Sequence, residues 1–337
     1  MPKFRCLAEW FSVVLLILCM AVAVSAQSKG IDPALLAKAK AGDPATEVQV
    51  GLDYINGTGV PEDDAQSVIW WRKAAEQGFA RAQALLGHCY SEGRGVTLDY
   101  AQSVLWNRKA AEQGDEIGQL SLGADYELGQ GVPQDSAQAA IWYRRAAEQG
   151  DAFAQFSIGD LYRKGKGVPQ DYAEAAVWYR KAAEQGDEIG QLSLGAAYEL
   201  GQGVPQDYAQ AALWLRKAAD QGQDTAQVDL AGMYHSGEGL PKDYTQAAFW
   251  WRKAAEQGNA DAQFLLGLLY SLGQGVPQDY AEAYFWIDIA AAGKIRGGAQ
   301  EDVAKKRDDA ASHLTPADLS RAQERARKWF EDHSPKK

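Results

Sequence analysis

An all-α solenoid is the fold class that the sequence predicts, and three observations predict it. The string Gly-x-Gly-Val-Pro-x-Asp returns every 36 residues, starting at Gly129, Gly165, Gly201 and Gly273, with close variants at Gly57, Gly93 and Gly237. A ladder of Trp70, Trp106, Trp142, Trp178, Trp214, Trp250 and Trp286 keeps the same step. Between these landmarks, apolar and small residues recur at spacings of three and four, the period of one helix face. A fixed period of this length marks stacked supersecondary units. Such stacks offer extended surfaces, so function is sought on a surface and not in a pocket.

The chain starts differently. Lys3 and Arg5 precede an apolar run from Phe11 to Val24, and Val24-Ser25-Ala26 supplies small residues before Gln27. That is the pattern of a secretory signal peptide, assigned to residues 1–26. The run is shorter than the roughly 20 residues a spanning helix needs. Leu16-Ile17-Leu18 lack the small residue expected before a lipidated Cys19. The expectation is a periplasmic or secreted protein, cleaved near Ala26 and not inserted in a membrane afterwards. Cys6 and Cys19 leave with the signal, so Cys89 stays without a disulfide partner and reads as a small buried helix residue. Residues 27–45, polar apart from Ala34-Leu35-Leu36, read as a linker and N-terminal cap.

Residues 46–293 hold seven repeats, and the fourth shows how each is built. In its helix A, Ala154, Ile158, Gly159 and Tyr162 share a face. Gly165 and Gly167 end that helix, Pro169 cannot continue it, and Asp171 is placed to cap the next. Helix B then carries Ala173, Ala176, Val177, Trp178, Ala182 and Ala183, and Gly186 stops it. A Gly inside helix A, such as Gly51, Gly87 or Gly123, costs about 1 kcal/mol against Ala, which close approach of helix B would offset. The ladder Trp is taken as the large partner in that contact. Trp71 and Trp251, next to the ladder, have Tyr143, Tyr179 and Leu215 at the same place and read as a half-exposed helix edge. The tail, 294–337, lacks the glycine loop. Ala299-Gln300 restarts a helix A, and Thr315-Pro316 opens a last helix with Leu319, Ala322, Ala326 and Trp329, a capping finish.

Composition and charge narrow the function. The net charge is −11, which repels phosphate backbones, so nucleic acid is excluded as a partner. His88, His235, His313 and His333 are far apart and none has a second ligand at metal spacing. His88 and Cys89 are adjacent on a helix and diverge by about 100°. The repeated loop lacks the Lys-Ser/Thr of a phosphate loop. No catalytic residue, cofactor or metal is therefore assigned. The alternative is a cell-wall-active or hydrolytic enzyme with an unrecognised site.

Taken together, A-x-x-x-L-G-x-x-Y-x-x-G-x-G-V-P-x-D-x-x-x-A-x-x-W-x-x-x-A-A-x-x-G resembles the Sel-1-like repeat, a relative of the tetratricopeptide repeat. Departures are Thr97 for Pro, Leu240 for Val, and Gly118 and Gly190 for the first Ala. The resemblance implies a right-handed α-solenoid acting as a non-catalytic adaptor or scaffold for protein complexes, in bacteria often exported and tied to envelope regulation. The expected partner is a protein or peptide, and the chain is expected to be a monomer. In such relatives helix A lines the concave side. The helix-A positions that vary most then form the candidate groove: Asp53, His88, Glu92, Asp125, Leu128, Asp160, Leu161, Leu200, Asp229, Met233, Leu265, Leu268, Leu269 and Leu272. Its start is acidic and its end is leucine. Some of these leucines could instead pack on the next helix A or under the tail. Residues 111–135 and 183–207 differ only at Asp125 versus Ala197, so a two-repeat block has been copied, with Ser121 and Leu128 matching Ser193 and Leu200.

Overall fold

Every loop glycine and every cap aspartate of the repeat sits at a helix end. The computed structural model describes residues 30–293, 295 and 300–333; the expected signal peptide lies outside them. Helix α1 (Pro33–Lys40) precedes seven helix pairs. They are α2 (Pro44–Asn56) with α3 (Asp64–Glu76), α4 (Ala80–Glu92) with α5 (Tyr100–Glu112), α6 (Glu116–Leu128) with α7 (Ser136–Gln149), and α8 (Ala152–Lys164) with α9 (Tyr172–Glu184). Then come α10 (Glu188–Leu200) with α11 (Tyr208–Asp220), α12 (Asp224–Ser236) with α13 (Tyr244–Glu256), and α14 (Ala260–Leu272) with α15 (Tyr280–Ala291). Helices α16 (Gln300–Ser312) and α17 (Pro316–His333) finish the chain, and no strand occurs among the described residues. Thr315 Oγ1 accepts from the Asp318 N–H at 3.2 Å, capping α17. The described residues divide into two compact units, the first up to Ala154 with Gly165–Pro169, and the second Gln155–Lys164 with the residues from Gln170 onward.

The two loop glycines have separate jobs. Gly201 ends α10 in the left-handed conformation, with φ of 65°. Gly203, at φ of +74°, lies against the first residue of the preceding helix B; a Cβ there would collide with the Tyr172 carbonyl. The same collision would arise at Gly95 with Asp64 and at Gly131 with Tyr100. The second glycine thus seats each loop on the preceding repeat. Asp207 then opens α11 by accepting the N–H groups of Ala209 and Gln210 at 2.9 and 3.0 Å.

The core corrects one expectation. Trp71 and Trp251 are buried, as are Tyr143, Tyr179 and Leu215 at the same position. The helix-A glycine faces this residue and not the ladder Trp. A Cβ on Gly123 would come within 2.6 Å of the Tyr143 ring, and one on Gly159 or Gly195 within 2.9 Å of Tyr179 or Leu215. The missing side chain opens a slot, and only a fully inserted side chain fills it. Burying one aromatic there removes 150–250 Å², roughly 4–6 kcal/mol gross. Trp71 and Trp251 also satisfy their indole N–H groups, donating to the carbonyls of Val48 and Val228 at 3.1 and 3.2 Å. The latter contact persists although Ala231 replaces the glycine. The ladder Trp packs elsewhere: Trp70 clusters with loop Val60, and Trp142 with loop Val132.

A buried glutamine ladder ties successive repeats together. Gln83 Nε2 donates to the Ala75 carbonyl at 3.1 Å, while Gln83 Oε1 accepts from Gln113 Nε2 at 2.7 Å. The second unit repeats it: Gln227 donates to Ala219 at 3.2 Å and accepts from Gln257 at 2.9 Å. Each helix-A amide thus donates to a buried carbonyl near the end of the preceding repeat's helix B and accepts from the glutamine that ends helix B of its own repeat.

Two substitutions test the glycine assignments by urea unfolding. Gly123→Leu overfills the Tyr143 slot and is expected to lower stability by about 1–3 kcal/mol or more. Gly203→Ala is expected to cost more than the same change at the helix-A position, because it adds a carbonyl collision to a positive φ.

Candidate functional site

The variable face of helix A is partly surface and partly core. In the first unit, Asp53 on α2 is buried and accepts from Gln49 Nε2 at 3.1 Å; burial raises its pKa despite that bond. On α4, burial first and then Arg94 lower His88 to about 4, so its imidazole is neutral at neutral pH. Its neighbour Cys89 is buried and its thiol is pushed up to about 12, chiefly by burial. A thiol so protonated is a poor nucleophile. Glu92 is exposed, and Leu128 on α6 is half-buried.

Asp125 is buried, and the structure gives it a partner. Asn107 on α5 stands at the core position that holds Trp71 or Tyr143 in neighbouring repeats, and it too is buried. Its Nδ2 donates to Asp125 Oδ2 at 3.0 Å and to Ser103 Oγ at 3.1 Å. Where helix B has an amide in place of an aromatic, the next helix A has an acid in place of Ala. The copied block shows the other pairing, Tyr179 with Ala197, at the same separation. The single difference between the two copies is thus a matched change inside the core. Burial is the main cause that raises the Asp125 carboxyl to about 7; the Asn107 bond lowers it.

In the second unit, Asp160 on α8 is half-buried and pairs with Arg163 at 2.6 Å and with Lys164. Leu161 is buried. Met233 and Leu269 lie in one hydrophobic cluster, with Leu265 packed against it. Leu268 is half-buried. Two leucines stand out: Leu200 is 61% exposed and Leu272 63% exposed, both at the last position of a helix A. Beside Leu200, Glu199 is held above the usual carboxylate range, first by burial and then by Asp229 and Glu238. Sequence reasoning included Asp229 but missed Glu199 and Glu238. Their meeting depends on α10, α12 and the loop after α12 coming together, which no local spacing encodes. Among the described residues, no group of three potential metal ligands comes together, and no helix is long and apolar enough to cross a membrane.

The Sel1 repeat model matches residues 46–79, 80–115, 117–151, 152–187, 189–223, 225–259 and 260–294. The chain belongs to the Sel1-repeat family. Among solved structures it is similar to a Sel1 repeat protein from Oxalobacter formigenes, at 36% identity over 80% of this chain and 78% of that one, with a TM-score of 0.65. It is also similar to c5321, a protective antigen of uropathogenic Escherichia coli displaying an SLR fold, at 32% identity over 89% of this chain and 87% of that one, with a TM-score of 0.53. No curated protein matches it. The Sel1-repeat chain is an all-α solenoid, and the family is one of protein–protein interaction scaffolds, which supports a non-catalytic adaptor.

The Asn107–Asp125 pair makes a pH prediction. A carboxyl whose folded pKa lies above its unfolded value adds stability below about pH 4, and that stability is lost as pH rises through about 7. Each pH unit that separates the folded from the unfolded pKa is worth about 1.4 kcal/mol. The double variant Asn107→Tyr/Asp125→Ala, which copies the Tyr179–Ala197 pairing, is expected to lose this component. Its advantage over wild type in urea unfolding should be larger at pH 8 than at pH 4. Asp125→Ala alone should be less stable than the double variant, since it strips the buried Asn107 amide of an acceptor.

Proposed function

We propose that this Sel1-repeat protein is an exported, monomeric adaptor of the cell envelope that holds a protein or peptide partner on its helix-A face in a regulatory role. Export is supported by the charged start, the short apolar run and the small residues before Gln27. The observation that carries the binding reading is the exposure of Leu200 and Leu272. The stack makes no use of these side chains: the glycine slot, the ladder Trp and the loop all lie elsewhere. An apolar side chain left outside in this way suits an anchor for a partner's apolar residue.

Of the sequence-assigned face, Leu200, Leu268 and Leu272 of the second unit would meet a partner directly, with Asp229 as a polar neighbour; in the first unit Glu92 and Leu128 hold the positions equivalent to Leu200 and Leu272. Asp53, Asp125, Leu161, Met233 and Leu269 would act from beneath, by holding the face rigid. The carboxylates of Glu199, Asp229 and Glu238 close to Leu200 favour a partner that sets a basic side chain next to its apolar anchor.

Crosslinked capture from an envelope extract tests this, comparing wild type with Leu200→Asp/Leu272→Asp. Both positions are exposed, so circular dichroism should be unchanged. The partner band captured by wild type is expected to fall about tenfold or more with the variant, and to weaken as salt rises. Equal capture by both proteins would exclude the helix-A face as the binding surface.

A further inference from the structure

A second apolar track lies on helix B, and the chain itself shows how one position of it is covered. The residue before each ladder Trp is apolar. In the second unit these are Val177 on α9, Leu213 on α11, Phe249 on α13 and Phe285 on α15. The first three are 47–50% exposed, whereas Phe285 is 5% exposed. The difference is α17. It lays Ala322 and Ala326 into the cluster that holds Phe285, and Arg325 stacks on the Phe285 ring at 4.3 Å. Arg325 also pairs with Glu282 at 2.7 Å, and Gln323 donates to the Tyr284 hydroxyl at 3.3 Å. Leu319, Trp329 and Phe330 of α17 pack against the same cluster, so the track accepts an apolar helix face with small residues in the middle of it.

The bare positions differ from the covered one in their charge. One turn beyond the apolar residue, α15 has the buried Ile289, while the three other helices have Lys181, Lys217 and Lys253. These lysines lie over the rings of Trp178, Trp214 and Trp250 at 3.8, 4.1 and 4.8 Å. None of them forms an ion pair with a carboxylate among the described residues. At α15 the cation comes from the covering helix; at the bare positions it comes from the track. A further turn along each helix, Glu184, Asp220 and Glu256 add an exposed acid row at the track's edge.

We infer that Val177, Leu213 and Phe249 form a docking track for an amphipathic α-helix of a partner protein, one that has small residues on its apolar face and carboxylates flanking it. The helix continues along the row of contacts that α17 begins at Phe285. Its carboxylates meet Lys181, Lys217 and Lys253, taking the place that Arg325 holds in the intramolecular contact with its sign reversed. This track lies on helix B and is independent of the helix-A face.

The probe is a fluorescein-labelled peptide of residues 315–333 carrying R321E and R325E, titrated with the purified protein and read by fluorescence anisotropy. Saturable binding is expected, tighter than for the unaltered peptide and weaker as salt rises. Leu213→Asp/Phe249→Asp is expected to weaken it by about tenfold or more, and Lys217→Glu/Lys253→Glu likewise. Leu200→Asp/Leu272→Asp should leave it unchanged. All these positions are on the surface, and circular dichroism checks that each variant folds. The inference is overturned by absent binding, by binding that survives Leu213→Asp/Phe249→Asp, or by binding lost with the helix-A variant. Sedimentation that shows wild type self-associating through Leu213 and Phe249 would also overturn it, by assigning the track to a second copy.

Discussion

The contact between a glycine of helix A and the fully inserted residue of its own helix B governs the rest of the structure. It lets two helix backbones approach closely and so sets the spacing within each pair. With that spacing fixed, the side chain at 71, 143, 179, 215 or 251 becomes core, and the ladder Trp is left to pack against the loop valine. The loop can then lie on the preceding repeat only if its second glycine has no Cβ. One small residue in helix A therefore determines what can stand at two other places in the repeat.

Polar groups hold the register between repeats. Helix ends leave carbonyls without intrahelical partners, and burial makes that costly. The glutamine of helix A answers this by giving its amide to the preceding helix B and its oxygen to the following glutamine. The same pair of bonds recurs in step with the 36-residue period, joining each helix A both to the helix B before it and to its own. Asn107 and Asp125 are a polar exchange in the core in which both sides of the contact differ from the other copy.

Two surfaces remain after the stack is accounted for, and they differ in charge. The end of helix A presents leucine beside clustered carboxylates, and the middle of helix B presents apolar side chains beside lysines. The two faces share no residues. The tail helix α17 ends the array and covers the last position of the helix-B track.

The sequence by itself determined the local part of this protein. The period, the glycine that ends each helix A, the aspartate that opens each helix B, and the Thr315-Pro316 start of the last helix all depend on neighbours within a few residues, which spacing reveals. It also showed that the varying positions lie on one face of helix A. Only the tertiary structure decided which of them reach solvent. Leu200 and Leu272 do, while Leu161, Met233 and Leu269, three residues earlier in their helices and about 60° round, are buried. Phase places a residue on a side of its own helix; burial depends on which other helix covers that side. Spacing alone misplaces Trp71 and Trp251 for the same reason, because the small residue that makes room for each inserted side chain, Gly51 or Ala231, lies on another helix. Phe285 and Phe249 occupy identical sequence positions, and only the fold, by laying α17 over one of them, made the first core and left the second exposed.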